Sequence, residues 1–286
     1  MRRAVVLTGG GPASSAWELG VLTGMADAGL DVRNADLLVG TSSGSRVALH
    51  LASGVPHEVA LQRRLQPGPL SAERPAAVDW VRLREDLIRA RASGGAASEI
   101  LRRVGTSALA ASAGRTGASR REIVAAQLPI ETWPEQRMLI PAICAETGER
   151  RVFDRDSGID VVDAVIATTA SFGMPLLLFQ DEHYLDGGYY SSDSADLATG
   201  YDRVMILSLI RPPGVAFVPL VSLEESVTNL RDSGSLVEVI LPDENTLTAF
   251  AAVGGVMNLS ISATAATAGR VQGVSCVNDR LVSFWQ

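Results

Sequence analysis

The chain has 286 residues, enough for one large domain, and its 47% apolar and 20% charged residues are typical of a globular protein. A net charge of −7 argues against nucleic-acid binding, because no overall positive field would attract phosphates. All 25 basic residues are arginines, which excludes Schiff-base chemistry, a P-loop lysine and a Ser–Lys dyad within this sequence.

The first elements alternate between buried strands and helices. The sequence RRAVVLTGGG predicts a short strand that ends in a glycine loop, and SSAWELGVLTGMADAGL predicts a helix with one broad apolar side that stops at Gly29. ADLLVG predicts a second strand, and SGSRVALHLASG predicts a second helix that ends at Gly54. This repeated order of strand, loop and helix favours a parallel α/β sheet.

Residues 56–130 differ in composition from the segments around them. They open with four prolines and continue into VDWVRLREDLIRARASG, whose spacing predicts an amphipathic helix. Nine arginines and three acidic residues lie between Arg82 and Arg121. We expect residues 56–130 to form a helical cap inserted into a single domain of residues 1–286. The arginine run is typical of a solvated helix face; the alternative is a surface for anionic lipid head groups, with transient membrane contact.

The second half of the sequence supplies further core elements. RMLIPAIC (137–144) and RVMILSLI (203–210) predict buried strands, and RRVFD (150–154) predicts a hairpin partner for the first of them. DVVDAVIATTAS predicts a helix, and SLVEVILP predicts a strand followed by a helix rich in alanine and threonine.

The lack of a recognisable signal peptide or membrane span, together with the cysteine usage, predicts a cytoplasmic protein. After two arginines, only the four apolar residues AVVL precede the glycine loop, which is too few for the apolar core of a signal peptide. No window approaches eighteen uninterrupted apolar residues, so we expect no membrane span. Cys144 and Cys276 form no C-x-x-C spacing, and we expect two free thiols rather than a zinc site or a redox motif.

Residues 40–44 read Gly-Thr-Ser-Ser-Gly and match the pattern G-x-S-x-G at a junction between strand and helix. A serine on such a tight turn is held above the sheet in a strained backbone conformation, where its hydroxyl can attack a substrate. Gly40 and Gly44 remove the side chains that would clash with the turn. The helix that follows directs its positive end toward developing negative charge. Ser42 is therefore the candidate nucleophile.

The glycine run at the end of the first strand is the candidate oxyanion hole. Gly9, Gly10 and Gly11 allow backbone N–H groups to point at a bound oxyanion, although a flexible tight turn is the simpler alternative. A dinucleotide site would require G-x-G-x-x-G. Ser14 occupies the last of those positions, so that fingerprint is absent.

A general base for Ser42 must come from elsewhere in the chain. The sequence YLDGGYYSSDSADLA places Asp186 before Gly187 and Gly188, where the small neighbours leave a carboxylate accessible. An ordinary Asp-Gly turn is the alternative. The histidines lack a suitable position in the sequence: His50, His57 and His183.

These residues together resemble the patatin-like phospholipase family of serine acyl hydrolases, which use a Ser–Asp dyad. Four blocks match in order, and AETGERRVFD is a weaker fifth. The matching blocks are the glycine loop with AWELGVL (9–22), G-x-S-x-G (40–44), AVIATTASFGMP (164–175) and DGG (186–188).

The resemblance implies a three-layer α/β fold with a central, mostly parallel sheet and a helical cap. It implies that Ser42 is the nucleophile and Asp186 the base, with an oxyanion loop at Gly9 to Gly11. It implies no metal and no other cofactor. The substrate it implies is a lipid or another acyl ester, cleaved through an acyl-serine. An acyl chain needs an apolar cleft, and plain core is the alternative reading of MPLLLF. The candidate walls of the cleft are the cap and Phe172, Met174, Leu176, Leu177 and Leu178.

The sequence departs from the family pattern at two places. The family's glycine loop usually continues with a basic residue and another glycine, whereas this chain has Pro12, Ser14 and Ser15 in this region. The family often has an asparagine and a proline after DGG, where this chain has Ser192 and Ser194. Two alternatives to hydrolysis therefore stay open: acyl transfer or thioesterase action, and a catalytically weakened binding protein.

Overall fold

The structure is a computed structural model that describes residues 1–65, 80–113, 118–171, 173–209, 219–253 and 261–286. Its strands are β1 (Arg3–Leu7), β2 (Leu37–Gly40), β3 (Arg137–Cys144), β4 (Arg150–Phe153), β5 (Leu177–Phe179), β6 (Glu182–Asp186), β7 (Arg203–Leu207) and β8 (Leu236–Ile240).

The α-helices of these described ranges alternate with the strands in the first third of the chain and cluster between β2 and β3. They are α1 (Gly11–Asp27), α2 (Gly44–Ala52), α3 (His57–Leu65), α4 (Trp80–Ala92), α5 (Ala97–Ser112), α6 (Ala118–Gln127), α7 (Val161–Thr168), α8 (Leu223–Asp232), α9 (Glu244–Ala252), α10 (Ser262–Cys276) and α11 (Asp279–Trp285).

The strands form one mixed sheet in the order β5-β6-β3-β2-β1-β7-β8, with β4 paired to β3 outside this path. The pairs from β3 through β2, β1 and β7 to β8 are parallel, whereas β3 pairs antiparallel with both β4 and β6. The predicted α/β fold with a mostly parallel central sheet is confirmed. The predicted hairpin of β3 and β4 is also present.

The sheet is covered on both faces, which makes three layers. Along β1, Val5 and Leu7 contribute to an apolar core shared with α1, α7 and α10, whereas Ala4 and Val6 contribute to a second core shared with α8. Alternate side chains of a strand point to opposite faces, so a strand buried on both sides must be apolar throughout. This explains the continuous run AVVL.

Helix α1 is buried on all sides along most of its length, rather than on one broad side as the sequence pattern predicts. One reason is its contact with α10, whose backbone packs directly against that of α1. A Cβ atom at Gly20 would clash with the backbone carbonyl of Ala266, and one at Gly273 would clash with that of Val21. Glycine at these positions lets the two helices approach backbone to backbone.

Helix α1 also begins earlier than predicted. The sequence pattern places its start near Ser14, whereas the helix starts at Gly11 and contains Pro12 in its first turn. Proline is favoured there because the first N–H groups of a helix have no intrahelical partner. Pro12 therefore extends the helix toward the glycine loop instead of delaying it.

The expected cap segment contains α3 to α6 in its described part, and the residues 66–79 and 114–117 lie outside the description. Helices α4 and α5 contribute Ala90, Leu101 and Val104 to a third apolar cluster, which also includes Ile143 of β3 and Leu185 of β6. The antiparallel end of the sheet is thus covered by helices from the segment between β2 and β3.

Arginines of this segment make contacts within the protein. The Arg121 guanidinium pairs with Asp160 and Asp163, and the Arg120 guanidinium donates to the carbonyl of Ile166 at 3.1 Å. Arg89 pairs with Glu85 and Asp86 on its own helix. The solvated helix face predicted from the arginine run therefore holds for part of it only, because Arg120 is 5% exposed.

Candidate active site

Ser42 lies in the turn between β2 and α2 with a φ of 51°, a left-handed conformation that non-glycine residues seldom adopt. Thr41, just before it, donates its N–H to the carbonyl of Leu7 at 3.1 Å. A Cβ atom at Gly44 would clash with that same carbonyl, and one at Gly40 would lie 2.5 Å from the Cα of Ser45. The two glycines of the pattern thus let the turn fit against β1 and α2.

Ser42 and Asp186 are 144 residues apart in sequence and in direct contact in the structure. The Ser42 hydroxyl donates to Asp186 Oδ2 at 2.6 Å. Both residues stand at the ends of strands that neighbour β3, since β2 and β6 lie on either side of it. The register of β6 pairs Asp186 with Ala142 of β3. The sheet order therefore brings the two candidate residues together.

The Asp186 carboxylate is buried, with 9% of the residue exposed, and its backbone and second oxygen are both held. Gly188 donates its N–H to Asp186 Oδ1 at 2.8 Å, and Asp186 donates its own N–H to the carbonyl of Ala170 at 3.1 Å. Gly187 lies against the carbonyl of Pro141, where a Cβ atom would clash. These contacts leave Oδ2 directed at Ser42.

The glycine loop lies directly beside Ser42. A Cβ atom at Gly9 would be 3.0 Å from the Ser42 Cβ, so a larger residue at this position would force the loop or Ser42 to shift. The Gly9 N–H donates to the carbonyl of Ser192 at 2.8 Å and is therefore already engaged. Gly10 and Gly11 precede and begin α1, where N–H groups lack intrahelical acceptors. Their two amides remain the candidate oxyanion donors.

Polar side chains of α1 hold the residue before the glycine loop. Glu18 is completely buried and accepts the N–H of Thr8 at 2.7 Å through Oε1, with the Ser14 side chain beside it. Burial raises the pKa of the Glu18 carboxyl well above its ordinary value, although hydrogen bonds from Thr8 and Ser14 oppose this. Ser14 therefore occupies a structural position beneath the loop.

Residues 191–195, which follow DGG, contact both the glycine loop and the turn that carries Ser42. Besides the Ser192 carbonyl, the Asp193 carbonyl accepts the Thr41 hydroxyl at 3.4 Å. Ser194 has a φ of 52° and donates its N–H to the Ser191 hydroxyl at 3.0 Å. Burial raises the pKa of the Asp193 carboxyl, which accepts the N–H of Ala195. This segment is thus held by contacts of its own.

The histidines make other pairs. The His50 Nε2 and His57 Nδ1 atoms are 3.1 Å apart, and His57 Nε2 is 3.8 Å from an Asp31 carboxylate oxygen. His183 pairs with Glu146 at 2.7 Å. Burial lowers the pKa of the His57 imidazole, with the charge of Arg33 acting in the same direction. The Ser42 hydroxyl donates its hydrogen bond to Asp186 instead.

Sequence reasoning missed one residue at the nucleophile turn, Thr168. Its hydroxyl oxygen accepts the N–H of Ser42 at 2.9 Å, and its hydroxyl donates to the carbonyl of Pro141 at 2.6 Å. Thr168 lies in the block AVIATTASFGMP, so the block was identified without a function for this residue. Only its position at the end of α7, beside the turn, makes the contact visible.

The surroundings of the dyad include apolar side chains but no metal site in the part of the chain that the structure describes. Of the expected cleft residues, Leu178 is 58% exposed on β5, and Leu177 and Leu176 are partly buried. Phe172 lies outside the described residues. Among the described helices, none has both the length and the apolar composition that crossing a bilayer requires.

The arrangement has the parts needed for acyl transfer to a serine. A hydroxyl and a buried carboxylate are within hydrogen-bond distance, and Gly9, which lies against Ser42, is followed by two backbone amides at a helix start. Comparison with known proteins points the same way: the model of the family described as patatin-like phospholipase matches residues 5–199. No curated protein sequence matches the chain.

Two solved structures are similar to the chain at low sequence identity. ExoU, solved in complex with SpcU from the type III secretion system of Pseudomonas aeruginosa, is 14% identical with a TM-score of 0.45, over 100% of this chain and 53% of that one. VipD from Legionella pneumophila is 12% identical with a TM-score of 0.47, over 96% of this chain and 66% of that one. The chain thus spans about half the length of ExoU.

Proposed function

Because the chain belongs to the patatin-like phospholipase family, with a match over residues 5–199, we propose that it is a lipid acyl hydrolase. The proposed substrates are carboxylic esters of phospholipids, lysophospholipids or related acyl esters. Ser42 is the proposed nucleophile and Asp186 the proposed base. The single observation that supports these roles is the 2.6 Å hydrogen bond from the Ser42 hydroxyl to Asp186 Oδ2.

In the first half-reaction, Ser42 Oγ attacks the ester carbonyl carbon while its proton moves to Asp186 Oδ2. A tetrahedral intermediate forms with a negative charge on the former carbonyl oxygen. When it collapses, the bond to the alkoxy oxygen breaks, and Asp186 returns the proton to that oxygen. The alcohol leaves, and the acyl group stays bound to Ser42 as an ester.

In the second half-reaction, water replaces the alcohol. Asp186 takes a proton from the water while the water oxygen attacks the acyl carbon, and the bond to Ser42 Oγ then breaks. The proton returns from Asp186 to the serine oxygen and the free acid leaves. Asp186 keeps one position throughout, which its bonds to Gly188 and Ala170 support.

The amides of Gly10 and Gly11 are the proposed donors to the oxyanion in both half-reactions. Backbone donors need no rearrangement when the charge develops, and losing one such donor typically costs about 10²–10³ in rate. Since Pro12 has no N–H, it cannot add a further donor. No cofactor takes part in this scheme.

The proposed partner is a lipid substrate, with transient contact to a membrane surface. Leu178 is an exposed apolar side chain on β5, and β5 pairs with β6, the strand that ends at Asp186. An interfacial substrate would cover such a side chain. Flotation of the protein with anionic and neutral lipid vesicles tests this contact, and absence of binding to both would contradict it.

The central experiment compares purified wild type with Ser42→Ala on p-nitrophenyl acyl esters and on a panel of phospholipids. We expect Ser42→Ala to lower turnover by at least about a thousandfold, because the nucleophile is lost. Ser53→Ala, a change at the far end of α2, is the matched control and should retain turnover. Retained turnover in Ser42→Ala would remove Ser42 from the mechanism.

Two measurements separate the remaining alternatives. Product analysis with a labelled acyl donor distinguishes acyl transfer and thioesterase action from ester hydrolysis. Hydrolysis yields the free acid, acyl transfer yields the acyl group on another acceptor, and thioesterase action on a thioester donor also yields a free thiol. A binding protein without activity is distinguished by a fluorophosphonate probe, which labels an activated serine. The absence of the basic residue usual in the family's glycine loop makes the probe experiment necessary.

A further inference from the structure

Thr168 links the nucleophile turn to the central strand β3. It is fully buried, and its hydroxyl acts both as acceptor and as donor. The hydroxyl oxygen accepts the Ser42 N–H at 2.9 Å, and the hydroxyl donates to the Pro141 carbonyl at 2.6 Å. The two bonded residues are distant from Thr168 in sequence, with separations of 126 and 27 residues. Each bond therefore depends on the tertiary structure.

The hydrogen bond from Ser42 to Thr168 fixes the direction of the Ser42 backbone N–H. The Ser42 N–H points to Thr168 and is therefore not available to an oxyanion. A left-handed backbone conformation is unfavourable for a serine and persists only where the surrounding structure holds it, and this hydrogen bond is one contact that holds it. Thr168 is the side chain that holds the Ser42 amide.

The same short segment also holds Asp186. Two residues after Thr168, the Ala170 carbonyl accepts the Asp186 N–H at 3.1 Å. The Pro141 carbonyl that accepts the Thr168 hydroxyl also lies against Gly187, the residue that follows Asp186. The backbones of both members of the dyad are thus hydrogen-bonded to residues 168–170, and Pro141 contacts both Thr168 and Gly187.

We propose that Thr168 is a positioning residue that sets the distance and angle between the Ser42 hydroxyl and the Asp186 carboxylate. It acts through the Ser42 backbone and does not touch the substrate. The proposal rests on the proposed function, because it assumes that Ser42 attacks and Asp186 accepts the proton. Misplacement of reacting groups by about 1 Å can cost about a hundredfold in rate.

The test compares Thr168→Val with Thr168→Ser. Valine has nearly the shape of threonine but lacks the hydroxyl, whereas serine keeps it. We expect Thr168→Val to lower kcat, and the rate of fluorophosphonate labelling, by about ten- to a hundredfold with little change in KM. Thr168→Ser should restore most of both rates. Thr23→Val is the matched control, because Thr23 is also buried and its hydroxyl bonds within α1.

The outcomes separate this proposal from the proposed function. If wild type neither turns over acyl esters nor reacts with the probe, the proposed function fails. If wild type reacts and Thr168→Val reacts equally fast, or Thr168→Ser is as slow as Thr168→Val, only the positioning role fails. Should Thr168→Val not fold, the pair Thr168→Ala and Thr168→Ser isolates the hydroxyl, and equal rates in that pair would overturn the proposal.

Discussion

Ser42 and Asp186 are held mainly by groups that are distant in sequence, whereas the residue before the glycine loop is held by the helix that follows it. Thr168 is 126 residues from Ser42, but Glu18 is only ten residues from Thr8. The loop itself makes a long-range backbone bond, from the Gly9 N–H to the Ser192 carbonyl. The two sides of the site therefore depend on different parts of the structure.

This difference predicts how each side responds to change. The dyad geometry exists only when β2, β3 and β6 have assembled, since β3 lies between the strands that carry Ser42 and Asp186. The contact between Thr8 and Glu18 lies within a local unit of strand, turn and helix, and such contacts close short loops at little entropic cost. Substitutions at the dyad should thus affect the reaction most, and substitutions beneath the loop should affect stability and its pH dependence.

The largest effect is expected for Asp186→Asn. The amide keeps the shape of the side chain but cannot take the serine proton, so kcat should fall by about a thousandfold or more. The thermal unfolding temperature should change little by comparison. Turnover of a p-nitrophenyl ester and the rate of fluorophosphonate labelling measure the effect, and near-normal rates would exclude Asp186 as the base.

Asp181→Asn is a suitable control for this variant. Asp181 is exposed and lies in the turn between β5 and β6, five residues before Asp186 on the same hairpin. The same chemical change there should leave both rates at the wild-type level. A similar loss in both variants would indicate damage to the hairpin rather than loss of a base.

A smaller effect is expected for Gly9→Ala on the loop side. The added Cβ would lie 3.0 Å from the Ser42 Cβ, so either the loop or the serine must shift. Loss of alignment with an oxyanion donor predicts a decrease in kcat of about tenfold to a thousandfold, with the larger value for complete loss of a donor. Unchanged kcat would show that the loop can move without cost.

The smallest effect on the reaction is expected for Glu18→Gln. Glutamine can still accept the Thr8 N–H, so turnover at neutral pH should stay near the wild-type value. The effect should appear in the free energy of unfolding. Because the folded state raises the Glu18 pKa, the folded protein keeps a proton that the unfolded chain releases above its ordinary pKa of about 4.3.

The sign of the pH dependence follows from this proton. The contribution of Glu18 to stability is fully present below about pH 4 and is lost as the pH rises toward the folded-state pKa, at about 1.4 kcal/mol per pH unit. Glu18→Gln lacks this loss, so its stability relative to wild type should increase between pH 5 and pH 8. Urea unfolding at several pH values measures it, with exposed Glu224→Gln as the control. A difference in the free energy of unfolding between Glu18→Gln and wild type that stays constant with pH would contradict this prediction.

The nucleophile turn could be located from sequence because its signals are local. An apolar strand, two glycines around Ser42 and an amphipathic pattern lie within eighteen residues of each other. The sequence pattern predicts a start of α1 three residues too late because serines are common at helix starts, whereas Pro12 fits the first turn equally well. The all-round burial of α1 depends on α10, which no pattern within α1 reveals.

The role assigned to Asp186 needed the resemblance to a family, because an Asp-Gly-Gly sequence is also typical of an ordinary turn. Its proximity to Ser42 results from the order of strands and the register of β6 on β3, and neither can be read from the residues around it. The role of Thr168 likewise cannot be predicted from the residues around it, because its contact with Ser42 depends on the fold. A threonine at the end of a helix has no sequence signal that names its partner 126 residues earlier.

Helix α10 lies outside residues 5–199, the stretch by which the family is matched, yet its backbone rests on the backbone of α1. Helix α1 carries the glycine loop at its first residues. The proposed oxyanion donors are therefore supported, through α1, by a helix that lies outside the residues matched by the family model. A substitution at this helix contact, such as a larger residue at Gly269 or Gly273, would change the support of the glycine loop while leaving Ser42, Asp186 and the loop itself unaltered.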